Sequence, residues 1–137
     1  MKTKLAILVA GLGTLLAATT PLLAHHSFAG TYLEDAPPIT IEGKLVQFLV
    51  RNPHSFVHVE AKDPKTGEMV RWSIEWGAAG QLAQQGVNTD SLKVGDHVIV
   101  TGSPGRTAED HRMRMGTINR PGPNPFSWGG RAGQTFN

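Results

Sequence analysis

Residues 55–76 read SFVHVEAKDPKTGEMVRWSIEW, and their alternation decides the fold. Val57 and Val59 fall on one side of an extended chain, with Phe56, His58 and Glu60 on the other. Asp63-Pro64-Lys65-Thr66-Gly67 supplies the residue types of a hairpin loop. Met69 to Trp76 then returns with Val70, Trp72, Ile74 and Trp76 opposed to Met69, Arg71, Ser73 and Glu75. This pattern predicts two antiparallel strands, each with one face for a core.

Towards the N-terminus, Ile39, Ile41 and Leu45 share one parity, while Val46, Phe48 and Val50 share the other. A phase change near Gly43 predicts a bulged, strongly bent strand, because one extra residue moves the side chains that follow to the opposite face. Asn52-Pro53 forces the turn into the next strand. Towards the C-terminus the period changes. Ala78 to Gln85 suits a short helix that closes on Gly86, and Leu92-Lys93-Val94-Gly95-Asp96 makes a turn. His97 to Gly102 reads as a fourth strand, Pro104-Gly105 breaks it, and His111 to Asn119 supplies a fifth. Five strands with one short helix between the third and fourth give the order of an OB-like barrel, a mainly all-β fold. Closure would explain the bulge and the glycine-marked bends. A small open sandwich is the competing architecture.

The barrel occupies residues 39–119, and its flanks read differently. Residues 1–24 have the pattern of a signal peptide. Lys2 and Lys4 precede an uncharged run from Leu5 to Ala18, Pro21 breaks it, and Ala24 suits the position before a cleavage point. That run is short of the roughly 20 residues of a bilayer span, which favours a cleaved signal over the alternative of an uncleaved membrane anchor, and the mature form is expected to have no membrane span. No twin-Arg pair is present, and cleavage after Ala24 would place the chain in the periplasm or outside the cell. Residues 25–38 end in Asp35-Ala36-Pro37-Pro38, which suits an extended arm rather than a helix. Residues 120–137 carry three prolines and four glycines and read as a flexible tail, with Phe126, Trp128 and Phe136 as its apolar handles.

Thirteen Lys and Arg stand against eleven Asp and Glu among 137 residues. Without Lys2 and Lys4 the balance is neutral, which removes the general electrostatic reason to bind nucleic acid or anionic lipid. The absence of cysteine excludes disulfides, thiolate metal sites and cysteine nucleophiles, so an exported domain must rest on its core. Catalytic motifs are missing too: there is no Gly-x-Ser-x-Gly elbow, no His-Glu-x-x-His and no phosphate-cradling glycine loop. We expect no enzyme. Glu60 and Glu75 on neighbouring strands could pair as carboxylates, although an exposed Glu facing Arg71 is the plainer reading.

Several of these segments resemble one bacterial group. They are His25-His26-Ser27-Phe28-Ala29, Ile41-Glu42-Gly43, Asn52-Pro53-His54, Trp72-Ser73-Ile74-Glu75, and Leu92 to Asp96 through Gly102-Ser103-Pro104. The group is the exported family catalogued as domain of unknown function 6152. The likeness runs from about His25 to Asn119, with Val50 standing where the family pattern has an aromatic residue. It implies a small periplasmic or secreted β domain and brings no activity.

Chemistry must therefore come from the residues. Cleavage after Ala24 would leave His25 first, with a free α-amine beside its imidazole. Their pKa values near 8 and 6.5 let both serve as uncharged nitrogen donors at modest cost. Nitrogen-rich sets favour Cu(II). His26 adjoins this pair, and His54 and His58 could complete it if the arm folds back and the strand begins by position 54. The bland alternative makes His25 and His26 simple chain-end residues and His54 a turn residue. A second set, His111, Met113 and Met115, alternates with Arg112 and Arg114 and would offer soft donors to Cu(I). Against it, two methionines on an inward face fill a core. The expected function is a binding or accessory module holding copper through His25. A different class is an interaction module whose Phe56 and Trp76 face meets a periplasmic protein partner.

Overall fold

The alternation of residues 55–76 becomes an antiparallel hairpin in the computed structural model, which describes residues 28–129. Strand β2 (Phe56–Lys62) pairs with β3 (Met69–Glu75) from Phe56 opposite Glu75 to Lys62 opposite Met69. Asp63 shapes the loop: its Oδ1 accepts the backbone N–H groups of Lys65 at 2.7 Å and Thr66 at 3.2 Å. Those bonds, that from Lys65 foremost, hold the Asp63 carboxyl below the usual range, and Gly67 turns the chain at φ +77°.

Strand β1 (Ile39–Leu49) is long enough to pair on both sides. Its first half runs antiparallel to β4 (His97–Pro104), its second half antiparallel to β2, and Gly43 lies in both registers. A Cβ on Gly43 would meet the Glu60 carbonyl oxygen at 2.0 Å, so the sheet folds over this residue. The expected bulge is present but falls after the glycine, between Leu45 and Gln47. Strand β5 (Arg112–Arg120) pairs with β4 and, through Arg112–Arg114, runs parallel to Ser73–Glu75 of β3. That short seam closes five strands in the order 1-2-3-5-4 into an OB-like barrel and removes the open sandwich from consideration. Helix α2 (Ala79–Gln84), after α1 (Phe28–Thr31) of the arm, lies between β3 and β4 as expected, and Gly86 ends its run at φ +77°. Leu82 of α2 joins Leu45, Val57, Val59, Trp72, Ile74, Val98, Val100 and Ile118 in one core. No helix among the described residues is long and apolar enough to cross a membrane.

Two flanks depart from expectation. The arm is not wholly extended, because Phe28–Thr31 makes one helical turn that drops Tyr32 into full burial. The segment read as a flexible tail contains a sixth strand, β6 (Phe126–Gly129), paired with Thr117–Arg120 of β5. Its pattern is too short to stand out in a Pro/Gly-rich run, yet Phe126 and Trp128 pack against the core. Phe136 lies outside the described residues.

Candidate functional site

Glu75 ends β3 on the parity that faces away from Ile74, where water would be expected, yet it is only 8 % exposed. The arm covers it. The Tyr32 hydroxyl donates to Glu75 Oε2, His54 Nδ1 pairs with Oε1, and Arg112 Nη2 stands 3.8 Å from Oε2. Burial, and then the bond and charge of Glu75, push the Tyr32 hydroxyl well above the ordinary phenol range, so it stays a donor. A carboxylate only accepts, so the hydrogen of this contact sits on His54 Nδ1, and a metal ion could be met only by Nε2 of the neutral ring. The His54 side chain is about one-third exposed.

The same arm is tied down along its length. The Phe28 ring stacks on His54 at 5.3 Å, with the Arg114 guanidinium 3.9 Å from its centroid, and Arg114 also pairs with Glu34. Leu33 N–H donates to the Pro104 carbonyl at 2.9 Å, Arg106 N–H to Thr31 at 3.0 Å, and Arg106 Nε to Ala29 at 2.7 Å. Glu75, Arg112 and Arg114 all belong to the β3–β5 seam, so the arm lies across the line where the barrel shuts. Beside Glu75 opens a cleft of about 210 Å³, lined by Phe28, Trp76, Gln81, Arg114 and Trp128. The former tail builds part of it: Trp128 meets Trp76 edge-on at 4.8 Å and donates its indole N–H to Gln85 at 2.7 Å.

The residues expected to bind metal are distributed unevenly. His25 and His26 lie outside the described residues. His54 is at the arm, but β2 begins at Phe56, so the shared strand face with His58 does not form. His58 instead lies along Phe56, with ring centroids 6.4 Å apart. Burial first, then Arg71 and Arg51, hold its pKa below the ordinary value, and the same cations would repel a metal ion. His111 precedes β5 in the left-handed region at φ 45°, so strand alternation does not reach it. Its Nε2 lies 3.2 Å from Asp63 Oδ2, and its ring meets Trp72 edge-on. Met113 and Met115 are buried in the barrel core. Among the described residues no group of three or more His, Asp and Glu side chains could hold a metal ion.

Trp76 is 4 % exposed and belongs to the core rather than to an outer face. Glu60 meets Arg71 at 3.2 Å, the plain ion pair expected for it. In the sequence Glu75 stood out only as a possible carboxylate partner of Glu60, a pairing the ion pair of Glu60 with Arg71 replaces, and Tyr32 only as the single tyrosine of the chain. A family model described as a family of unknown function (DUF6152) matches residues 12–114. No curated protein matches the chain.

Proposed function

The chain belongs to that family of unknown function, and from this premise we propose an exported, non-catalytic binding module for copper or another late transition metal. Its ligands would be the α-amine and imidazole of a processed His25, with His54 as the donor on the barrel. One observation carries the reading: Glu75 holds the Nδ1 edge of His54, and Tyr32 holds Glu75. A ligating histidine is ordinarily oriented in this way, by a carboxylate on its second nitrogen that fixes the tautomer and raises the basicity of the first. Phe28 stacks on the same imidazole, and His25 lies three positions before it. Three residues span at most about 10 Å, so the amine is within reach of His54.

The test is a Cu(II) titration of protein whose mass places His25 first, beside a form with one extra residue ahead of it. The extension should weaken binding by orders of magnitude, and His54→Ala should weaken it about tenfold or more. His58→Ala should change nothing, since Arg51 and Arg71 guard that site. Equal affinity of both N-terminal forms would end the metal reading. It would favour a second one, an interaction module on the outer face of β2, where Phe56 is partly exposed beneath the Arg51 guanidinium at 5.2 Å.

A further inference from the structure

A second cavity, of about 230 Å³, lies where the β2–β3 loop, the chain after β4 and the arm meet. It shares no lining residue with the Glu75 cleft. Leu33, Ile39, Trp72 and Pro104 give it an apolar wall, while Lys65, Arg106 and Arg112 bring three cationic side chains to the same space. The guanidinium groups are incompletely used. The Arg106 guanidinium donates only through Nε among the described residues, to the Ala29 carbonyl, which leaves its four Nη hydrogens. Arg112 stands 3.8 Å from Glu75, beyond hydrogen-bond length. The one carboxylate in the lining, Asp63, is already engaged by the Lys65 and Thr66 N–H groups and by His111. Trp72 is 4 % exposed, and its indole N–H has no partner.

We infer that this cavity binds a small aryl carboxylate, its ring among Leu33, Ile39, Trp72 and Pro104 and its anion at Arg106 and Arg112. Size agrees, since an apolar cavity of about 150 Å³ admits benzene and this one leaves room for a short acid arm. Chemistry agrees as well. An apolar wall with a few convergent polar groups is how small-molecule sites are built, and a guanidinium fork matches a carboxylate. The inference stands apart from the metal reading, because none of these residues is a proposed ligand of the ion.

The experiment follows backbone amide shifts of the processed protein during titration with phenylacetate, benzyl alcohol and acetate, which separate ring from charge. Phenylacetate should saturate, with shifts gathered at Lys65 and from Gly105 to Ala108. Each of the other two should bind about tenfold more weakly or worse. Arg106→Gln should lower phenylacetate affinity about tenfold, and Ala108→Trp, which adds bulk to the lining, should abolish binding, with thermal melting confirming that each variant folds. If neither folds, the ranking of the three probes on the native protein still decides. No saturation at millimolar phenylacetate overturns the inference. So does benzyl alcohol binding as tightly, or a shift pattern centred on Gln85 and Trp128. One residue added before His25 should leave phenylacetate affinity unchanged, so failure here and failure of the metal reading are distinguishable.

Discussion

At Glu75 a single carboxylate accepts from a tyrosine and a histidine and faces an arginine while barely touching water. Tyr32→Phe keeps the ring and removes one donor, leaving Oε2 with only the distant Arg112. The expected loss is about 1–3 kcal/mol in a urea unfolding curve, the cost of under-satisfying a buried charged group. His58 provides a pH-dependent counterpart. Its folded pKa is held below the ordinary 6.5 by burial, Arg71 and Arg51, so the native state resists taking up the proton. Its contribution is therefore intact above that value and erodes as pH falls below it. His58→Gln should narrow the stability difference between neutral pH and about pH 5, read from urea midpoints at both. A His58→Gln profile parallel to that of the parent would contradict the assignment. Neither environment was legible in the sequence. Alternation assigns Glu75 to solvent correctly as far as the strand goes, and only a contact from 43 positions away buries it.

The strands themselves were legible because each carries its own period, and the hairpin of residues 55–76 forms as written. What a strand must do to close a barrel is less visible. The phase change in β1 marked the bend but not the register of its bulge, which is set by the partner strand. Gly43→Ala tests that bend directly: its Cβ would sit 2.0 Å from backbone, which cannot rotate away as a side chain can. A loss on the order of 3 kcal/mol is expected in thermal or urea unfolding. Gly30→Ala, at a helical-turn position with nothing within 4 Å, is the matched control that should cost far less. The tail shows the opposite failure of local reading. A four-residue strand among prolines and glycines has too little pattern to announce itself, and pairing with Thr117–Arg120 makes it one.

For the molecule as a whole, no cysteine is available, so one core and one closing seam keep it shut. The seam is three residue pairs long, and Ser73 N–H to the His111 carbonyl, at 2.9 Å, is one of its bonds. Tyr32→Ala, which withdraws a ring and a hydroxyl from the arm, should speed amide hydrogen exchange at Ser73 more than at Val57 or Val59. A uniform increase across all strands would mean that the arm adds only bulk stability. The candidate metal ligands could be named from the sequence because histidine is a rare and chemically marked residue. Their neighbourhood could not, since it depends on which strands end beside one another.

The arm also orders events in time. Glu34 leaves the ribosome 80 residues ahead of Arg114, its partner across the barrel, and Tyr32 precedes Glu75 by 43. Synthesis thus delivers the latch well before its keeper, and the Arg114 half of the fastening arrives last. Neither the Glu34–Arg114 pair nor the β3–β5 seam can form until β5 emerges.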